Sequence, residues 1–474
     1  MVIQMSDNYQ DTDGKKEHCG LIAIYGHEEA ARMAYFGLYA LQHRGQESAG
    51  LVTWDGRRLR EQRGMGLVPE VFAERHLGRE LKGRIAIGHI RYSTTGATLL
   101  RNAQPFMIRF RGQDLAIAHN GNLVNTLELQ RQLEADGSLF QTSMDSEIFM
   151  HLVAKKSNGM DIEDAIVAAA NEVQGAYCLL IQVNDKLIAL RDPYGFRPLV
   201  LGRMGGTYVF ASETCALDLL EAEYLREVEP GEMIVIDKGS LRSRYINTES
   251  YPRKSCIFEL IYFSRPDSTV FSENVYIRRK NMGKMLAREA HVDADFCMPF
   301  PDSGVYAAVG YAQESGLPFE NAMIRNHYVG RTFIQPSQDM RDFGVRVKLN
   351  PVKEMIKDNK IVIVEDSIVR GTTIRTRVKK LRELGAKEIH LRVSCPPIRH
   401  PCYYGIDFSS KGELIAANHS VKDIARYIGL DSLHYLSVEG LLNSVDHNDG
   451  YCLACFQGDH PVLPGKDYGK MSME

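Results

Sequence analysis

The stretch KIVIVEDSIVRGTTIRTRVKKL, residues 360–381, constrains the fold more than any other part of this chain. Ile361 to Val364 are four consecutive apolar residues with no polar face. A strand written this way is buried on both sides, as in a parallel sheet covered by helices. Two carboxylates, Glu365 and Asp366, close the strand; a loop follows and then a helical pattern. Short apolar runs in ADFCMPF (294–300) and IHLRVS (389–394) alternate with further helical segments. The chain after about residue 250 therefore reads as α/β with a mostly parallel sheet.

The loop after the strand also carries chemistry. Ser367, Arg370, Gly371, Thr372 and Thr373 supply hydroxyls, a cation and a glycine at a helix N-terminus. Backbone N–H groups there suit a phosphate monoester, and Gly371 permits close backbone approach. Glu365 and Asp366 suit ribose hydroxyls, directly or through Mg²⁺, a hard cation that prefers oxygen ligands. The plain alternative is a strand-to-helix turn with an Asp or Ser cap.

From Cys19 to about Lys238 the pattern differs. Runs such as CGLIAIYG, RIAIGHIRYS, LAIAHNG, AYCLLIQV, KLIALRD and YVFASE predict many strands. Helices are expected near Leu127–Asp136 and Ser146–Lys156. Many strands with few helices suggest packed sheets with helices outside, an α+β arrangement. The polar run GSLRSRYINTESYPRK (239–254) places a boundary near 240–253. The expected organisation is 1–18, a polar leader; 19–250, the α+β half; and 251–474, the α/β half.

At net charge −3, nothing global attracts nucleic acid or membrane, and no apolar run approaches ~20 residues. The leader lacks the apolar core of a secretory signal and the basic face of a transit peptide. A cytoplasmic enzyme is expected. The nine cysteines are an odd number in a large non-secreted chain, which argues against a disulfide framework. Cys178, Cys215, Cys297 and Cys395 read as small buried residues. Cys256, Cys402, Cys452 and Cys455 are a four-thiol set that could hold Zn²⁺ or a [4Fe–4S] cluster equally well by count.

The segment around Glu365 and Asp366 resembles the signature of type I phosphoribosyltransferases, which bind 5-phosphoribosyl 1-pyrophosphate (PRPP). That family more often has Asp-Asp where this chain has Glu365-Asp366. Upstream, CGLIAIYGH, LQHRGQESAG, GHIRYSTTG, HNGNLVN and TSMDSE, in this order, resemble N-terminal-nucleophile glutamine amidotransferases, whose fold is αββα. That resemblance implies Cys19 as nucleophile and an oxyanion hole from the Asn120 side chain and the Gly121 N–H. It places glutamine's carboxylate on Arg91 and its ammonium on Asp145. Arg44 is expected in a mobile loop over the substrate. An N-terminal nucleophile uses its own α-amine as base, so residues 1–18 must be removed.

A fusion of these two halves resembles the glutamine phosphoribosylpyrophosphate amidotransferases, further supported by ELIYFSRPDS (259–268), PDSGVYAAVGYA (301–312) and YVGRTFIQPSQ (328–338). The resemblance implies transfer of glutamine's ammonia to PRPP, giving 5-phosphoribosylamine at the start of purine synthesis. It implies Mg²⁺ at Ser303, Glu365 and Asp366. Arg331 and Lys348 are the expected pyrophosphate contacts, on a basic loop that closes over PRPP. One branch of the family carries a [4Fe–4S] cluster at the positions of Cys256, Cys402, Cys452 and Cys455, together with a cleaved leader. A homotetramer inhibited by purine nucleotides is expected. The rival readings are another amidotransferase, such as a hexosamine-phosphate synthase, and a regulatory protein that binds PRPP without turnover.

Overall fold

The computed structural model describes residues 19–92, 99–246, 251–326, 349–407, 410–447 and 449–465. The leader, Arg331 and Lys348 lie outside the described residues. No helix among those described is long and apolar enough to cross a membrane.

Among the described residues, thirteen strands fill the first half. They are β1 (Gly20–Tyr25), β2 (Ser48–Trp54), β3 (Leu59–Met65), β4 (Ile85–Arg91), β5 (Phe106–Phe110), β6 (Gln113–Leu123) and β7 (Gly175–Val183). The others are β8 (Lys186–Arg191), β9 (Val200–Met204), β10 (Thr207–Ala211), β11 (Glu223–Glu227), β12 (Glu232–Asp237) and β13 (Ser240–Tyr245). One antiparallel sheet runs β11-β9-β10-β1-β4-β2-β3 and the other β13-β12-β8-β7-β6-β5. The inner strands, such as β1 and β7, are almost wholly apolar and fully buried because both faces are covered, whereas β3, β11 and β13 are polar and partly exposed. Leu21 and Ala23 of β1 meet Ala116, Ala118 and Leu180 of the second sheet between the layers. Ile22 and Ile24 point the other way, onto α1 (Ala30–Ala40), with α2 (Val68–Val71) nearby. On the far side, Ile117, Tyr177 and Leu179 pack with α3 (Thr126–Ala135), α4 (Asp145–Lys156) and α5 (Ile162–Ala170). The period of two along each strand thus builds helix–sheet–sheet–helix layers, with α6 (Thr214–Leu219) beside α1. Each fully buried Leu or Ile contributes roughly 1.5–3 kcal/mol.

The polar stretch at 239–254 divides. Ser240–Tyr245 is the edge strand β13, mostly exposed, and pairs with β12. Its polarity, which resembles a linker in the sequence, is that of an edge strand with a solvated face.

In the second half the parallel order is Phe296–Pro299, Lys360–Glu365, Glu388–Val393, Ser432–Tyr435. Helices α7 (Val275–Glu289) and α8 (Val305–Ser315) cross closely. A Cβ on Gly283 would lie 1.9 Å from the Ala307 carbonyl oxygen, and one on Gly310 1.9 Å from that of Lys280. Only glycine fits at either position.

Candidate active site

Cys19 stands at the entry to β1, at one end of the first half. Its thiol, together with Arg91, Tyr92, Gln104, Gly121 and Asp145, lines one pocket. Burial pushes the Cys19 thiol above its ordinary value, against the pull of Arg91. The resting sulfur is therefore a thiol, and a base is needed to make it a nucleophile.

Arg91 ends β4 and is nearly buried, and its Nη1 is 3.0 Å from Glu47 Oε1. Asp145 opens α4. One of its oxygens accepts from the Leu123 N–H at 3.1 Å, and the other lies 2.9 Å from His119 Nδ1. Burial opposes charge on both partners of that pair, but their attraction prevails. His119 titrates above its ordinary value and Asp145 below.

Asn120 is fully buried on β6 and does not itself line the pocket, whereas Gly121 does. Among the described residues neither side-chain polar atom of Asn120 has a partner. An amide left this way has a donor to spare, an arrangement native interiors rarely tolerate without a use. Gly121 has φ +150°, and a Cβ there would stand 2.0 Å from the Ala176 carbonyl oxygen. No other residue fits there.

Beneath the pocket His89 is fully buried, 3.0 Å through Nε2 from the His119 carbonyl. Burial lowers it from 6.5 to about 3, so it is neutral. A depressed folded pKa means its stabilisation is present above pH 6.5 and is lost as pH falls toward 3. Between pH 7 and pH 5 that loss is about 2 kcal/mol, from the 1.36 kcal/mol per pKa unit. His89→Gln is expected to show a shallower acid decline than the parent in denaturant titrations at the two pH values. Equal declines would overturn this account.

Arg44 is not part of a covering loop. Its guanidinium is 1% exposed, with Nε donating to the Cys19 carbonyl oxygen at 3.1 Å and its other nitrogens on Glu213 and Glu259. Those partners lie 169 and 215 residues away, so no local pattern signals them. Gln104, whose Oε1 accepts from the His119 N–H at 2.7 Å, and Met144 also line the pocket. Neither carries a sequence signal of its role.

In the second half, Glu365 ends the inner strand Lys360–Glu365, Asp366 follows it, and both are buried. The Ser303 hydroxyl donates to one Asp366 oxygen and the Ser367 hydroxyl to the other, each at 2.6 Å. Gly371, at φ +78°, turns the chain into the helix Thr372–Glu383, placing Thr372 and Thr373 in its first turn. Arg370 is ion-paired to Glu413 at 3.2 Å. Ser303 and Asp366 thus meet through hard oxygen atoms just beyond Glu365, the last residue of the strand.

Four further cysteines lie in the second half. Cys256 and Cys452 are cross-strand partners in a two-residue parallel pairing. The Cys402 sulfur accepts from the Tyr404 N–H, and Cys455 lies on the short helix Ala454–Gln457. Burial, then mutual repulsion, pushes Cys256 up to about 11, and the other three are raised as well, chiefly by burial. The Arg197 guanidinium lies close enough to act on Cys256 and Cys402. Among the described residues no three His, Cys, Asp or Glu side chains converge on one metal position.

Residues 89–219 match the glutamine amidotransferase domain family. The amidophosphoribosyltransferase of Bacillus subtilis is 50% identical over 455 residues, 95% of each chain. That of Archaeoglobus fulgidus is 48% identical over 95% of this chain and 99% of its own. The solved structure of B. subtilis glutamine PRPP amidotransferase, in complex with ADP and GMP, superposes with a TM-score of 0.90. It is 49% identical and covers 96% of this chain and all of that one.

Proposed function

The chain belongs to the amidophosphoribosyltransferase family, and from that premise we propose how its residues divide the reaction between two sites. The reaction takes PRPP, glutamine and water to 5-phosphoribosylamine, diphosphate and glutamate, at the start of purine synthesis. The observation that carries the division is the gathering of Cys19, Arg91, Gly121 and Asp145 around one pocket, apart from the Glu365–Asp366 strand end.

At the first site the leader is removed, and the freed Cys19 amine takes the thiol proton. The sulfur then attacks glutamine's side-chain amide carbon. The oxygen of the tetrahedral intermediate is met by the Asn120 amide and the Gly121 N–H. Arg91 holds the α-carboxylate and Asp145 the α-ammonium. Collapse expels ammonia, protonated by the amine, and water then hydrolyses the thioester to glutamate. Asn120→Ala is expected to lower kcat for glutamine hydrolysis about 10²–10³-fold with little change in KM. A change confined to KM would assign Asn120 to binding instead.

At the second site, Glu365 and Asp366 take the ribose hydroxyls, while Ser367, Arg370, Gly371, Thr372 and Thr373 take the 5-phosphate. Arg331 and Lys348 serve the pyrophosphate. Ser303, Glu365 and Asp366 fit Mg²⁺ by their oxygen donors: the Ser303 hydroxyl donates to Asp366, and Glu365 is its neighbour in the chain. Bound there, the ion would neutralise charge building on the departing pyrophosphate. The enzyme orients ammonia toward ribose C1 and excludes water.

Cys256, Cys402, Cys452 and Cys455 would hold a [4Fe–4S] cluster. The fit is argued from four soft sulfur donors, Cys256 and Cys455 buried and Cys402 and Cys452 half-buried, with the Arg197 cation near enough to Cys256 and Cys402 to offset thiolate charge. Such a cluster would tie the C-terminal segment to the chain near Cys256. A cytoplasmic homotetramer inhibited by purine nucleotides completes the reading; for the nucleotides, support comes from the ADP and GMP bound to the B. subtilis relative.

Mass spectrometry of anaerobically purified enzyme, native and denatured, tests these points together. The expected result is a chain beginning at Cys19, four irons and four sulfides per chain, and four chains per particle. A fully active chain still beginning at Met1 would overturn the N-terminal-nucleophile mechanism, and zinc in place of iron would overturn the cluster.

A further inference from the structure

Between the halves lies a closed network of buried charge. Arg44 donates to Glu213 at 2.5 Å and makes a two-pronged contact with Glu259 at 2.8 and 3.0 Å. Glu213 also meets His43 at 2.8 Å, and it accepts from the Ser268 hydroxyl at 2.7 Å and the Arg265 N–H at 2.9 Å. Glu259 further accepts from Arg197 at 3.2 Å and the Ser264 hydroxyl at 2.8 Å. Arg44, Arg197, Glu213 and Glu259 are all essentially inaccessible to water. Two fixed cations thus face two carboxylates. Burial opposes charge on all four, yet both carboxyls are held below their ordinary range and both guanidiniums above theirs.

Such a network is costly to bury, and replacing buried ion pairs with apolar residues is often neutral or stabilising. Its retention asks for a use beyond stability. The remaining donor of Arg44 supplies one: Nε reaches the Cys19 carbonyl oxygen at 3.1 Å. Once residue 18 is cut away, Cys19 loses its backbone tether on the N-terminal side, and chain ends fray unless tied down. The amine and thiol of that one residue must nonetheless hold a fixed geometry.

We propose that Arg44 is a positioning residue that anchors the freed Cys19 through its carbonyl, and that Glu259, contributed by the second half, holds Arg44 in place. The first site is then assembled only when the second half is docked. Control of the nucleophile's geometry passes through the seam between halves, by way of a carboxylate that touches neither substrate. This inference rests on Cys19 acting as a processed N-terminus.

The test uses the full-length enzyme and two variants, Glu259→Gln and Arg44→Lys. Glu259→Gln keeps shape but removes charge, and Arg44→Lys keeps charge but removes the rigid fork. Each chain start is read by mass. Glutamine hydrolysis and ammonia-dependent phosphoribosylamine synthesis are then measured separately. The expected result is a ten- to hundredfold fall in kcat for glutamine, the scale of a small misplacement of a reacting group. KM for glutamine and the ammonia-dependent rate should stay within about twofold of the parent. Variants that begin at Cys19 and keep full glutamine kcat overturn the anchor while leaving the nucleophile intact. Parallel loss of both activities in both variants overturns it as well, since the network would then hold only the fold. An active parent that does not begin at Cys19 removes the premise, and the mass measurement identifies that case by itself.

Discussion

Cys19→Ala is expected to abolish glutamine-dependent phosphoribosylamine formation, by about 10³-fold or more, while synthesis from added ammonia persists. The two activities separate because the thiol lines a pocket with Arg91 and Asp145, whereas the proposed ribose and phosphate site is the strand end at Glu365 and Asp366. Among the described residues no other thiol lines that pocket: Cys178 is buried between the two sheets, where burial raises it to about 12. On the proposal that the Cys19 thiol also cuts the leader away, by attacking the carbonyl of the residue before it, the same variant should keep its leader. The measurement is paired: glutamate release and ammonia-dependent pyrophosphate release, together with intact mass. Loss of both activities would mean that Cys19 supports the fold. Retention of glutaminase would mean that another residue is the nucleophile.

Asp366→Asn is expected to do the converse, lowering pyrophosphate release with either nitrogen source by about 10²-fold or more and sparing glutamine hydrolysis. Asp366 is 1% exposed, and its two oxygens accept from Ser303 and Ser367. The amide keeps the shape, and both hydroxyls can rotate to suit it, so the fold should survive. What disappears is a negative charge at the place where a divalent cation and ribose hydroxyls would be bound. Rising Mg²⁺ should restore little of the rate. PRPP turnover within threefold of the parent would remove Asp366 from the site.

The strand, acid pair and Gly-Thr-Thr loop were legible in the sequence because each element is local. An apolar run predicts burial, and the glycine between strand and helix predicts close backbone approach; its φ of +78° came only with the structure. The layered first half was legible from strand periodicity, though its sheet order was not, since β1 pairs with β4 and β10 across most of the domain. Arg44 failed for a related reason. Its neighbours in HRGQESAG are small and polar, like a loop's, and its true partners come from two distant segments. Ser240–Tyr245 failed because an edge strand's exposed face has a linker's composition. The four clustered thiols were countable, but the Cys256–Cys452 pairing became visible only in space.

The backbone of the first site has a wall it does not own. Gly405, from the second half, sits so close that a Cβ would lie 3.2 Å from the Gly121 carbonyl oxygen, and the Asn122 amide donates to the Tyr403 carbonyl at 2.9 Å. Splitting the gene near residue 250 would therefore not release a free-standing glutaminase. It would expose one side of the oxyanion strand to water and strand a buried amide. The two halves have become inseparable parts for the engineer who would graft either onto a different acceptor: the transplant must carry the 403–405 segment along with it.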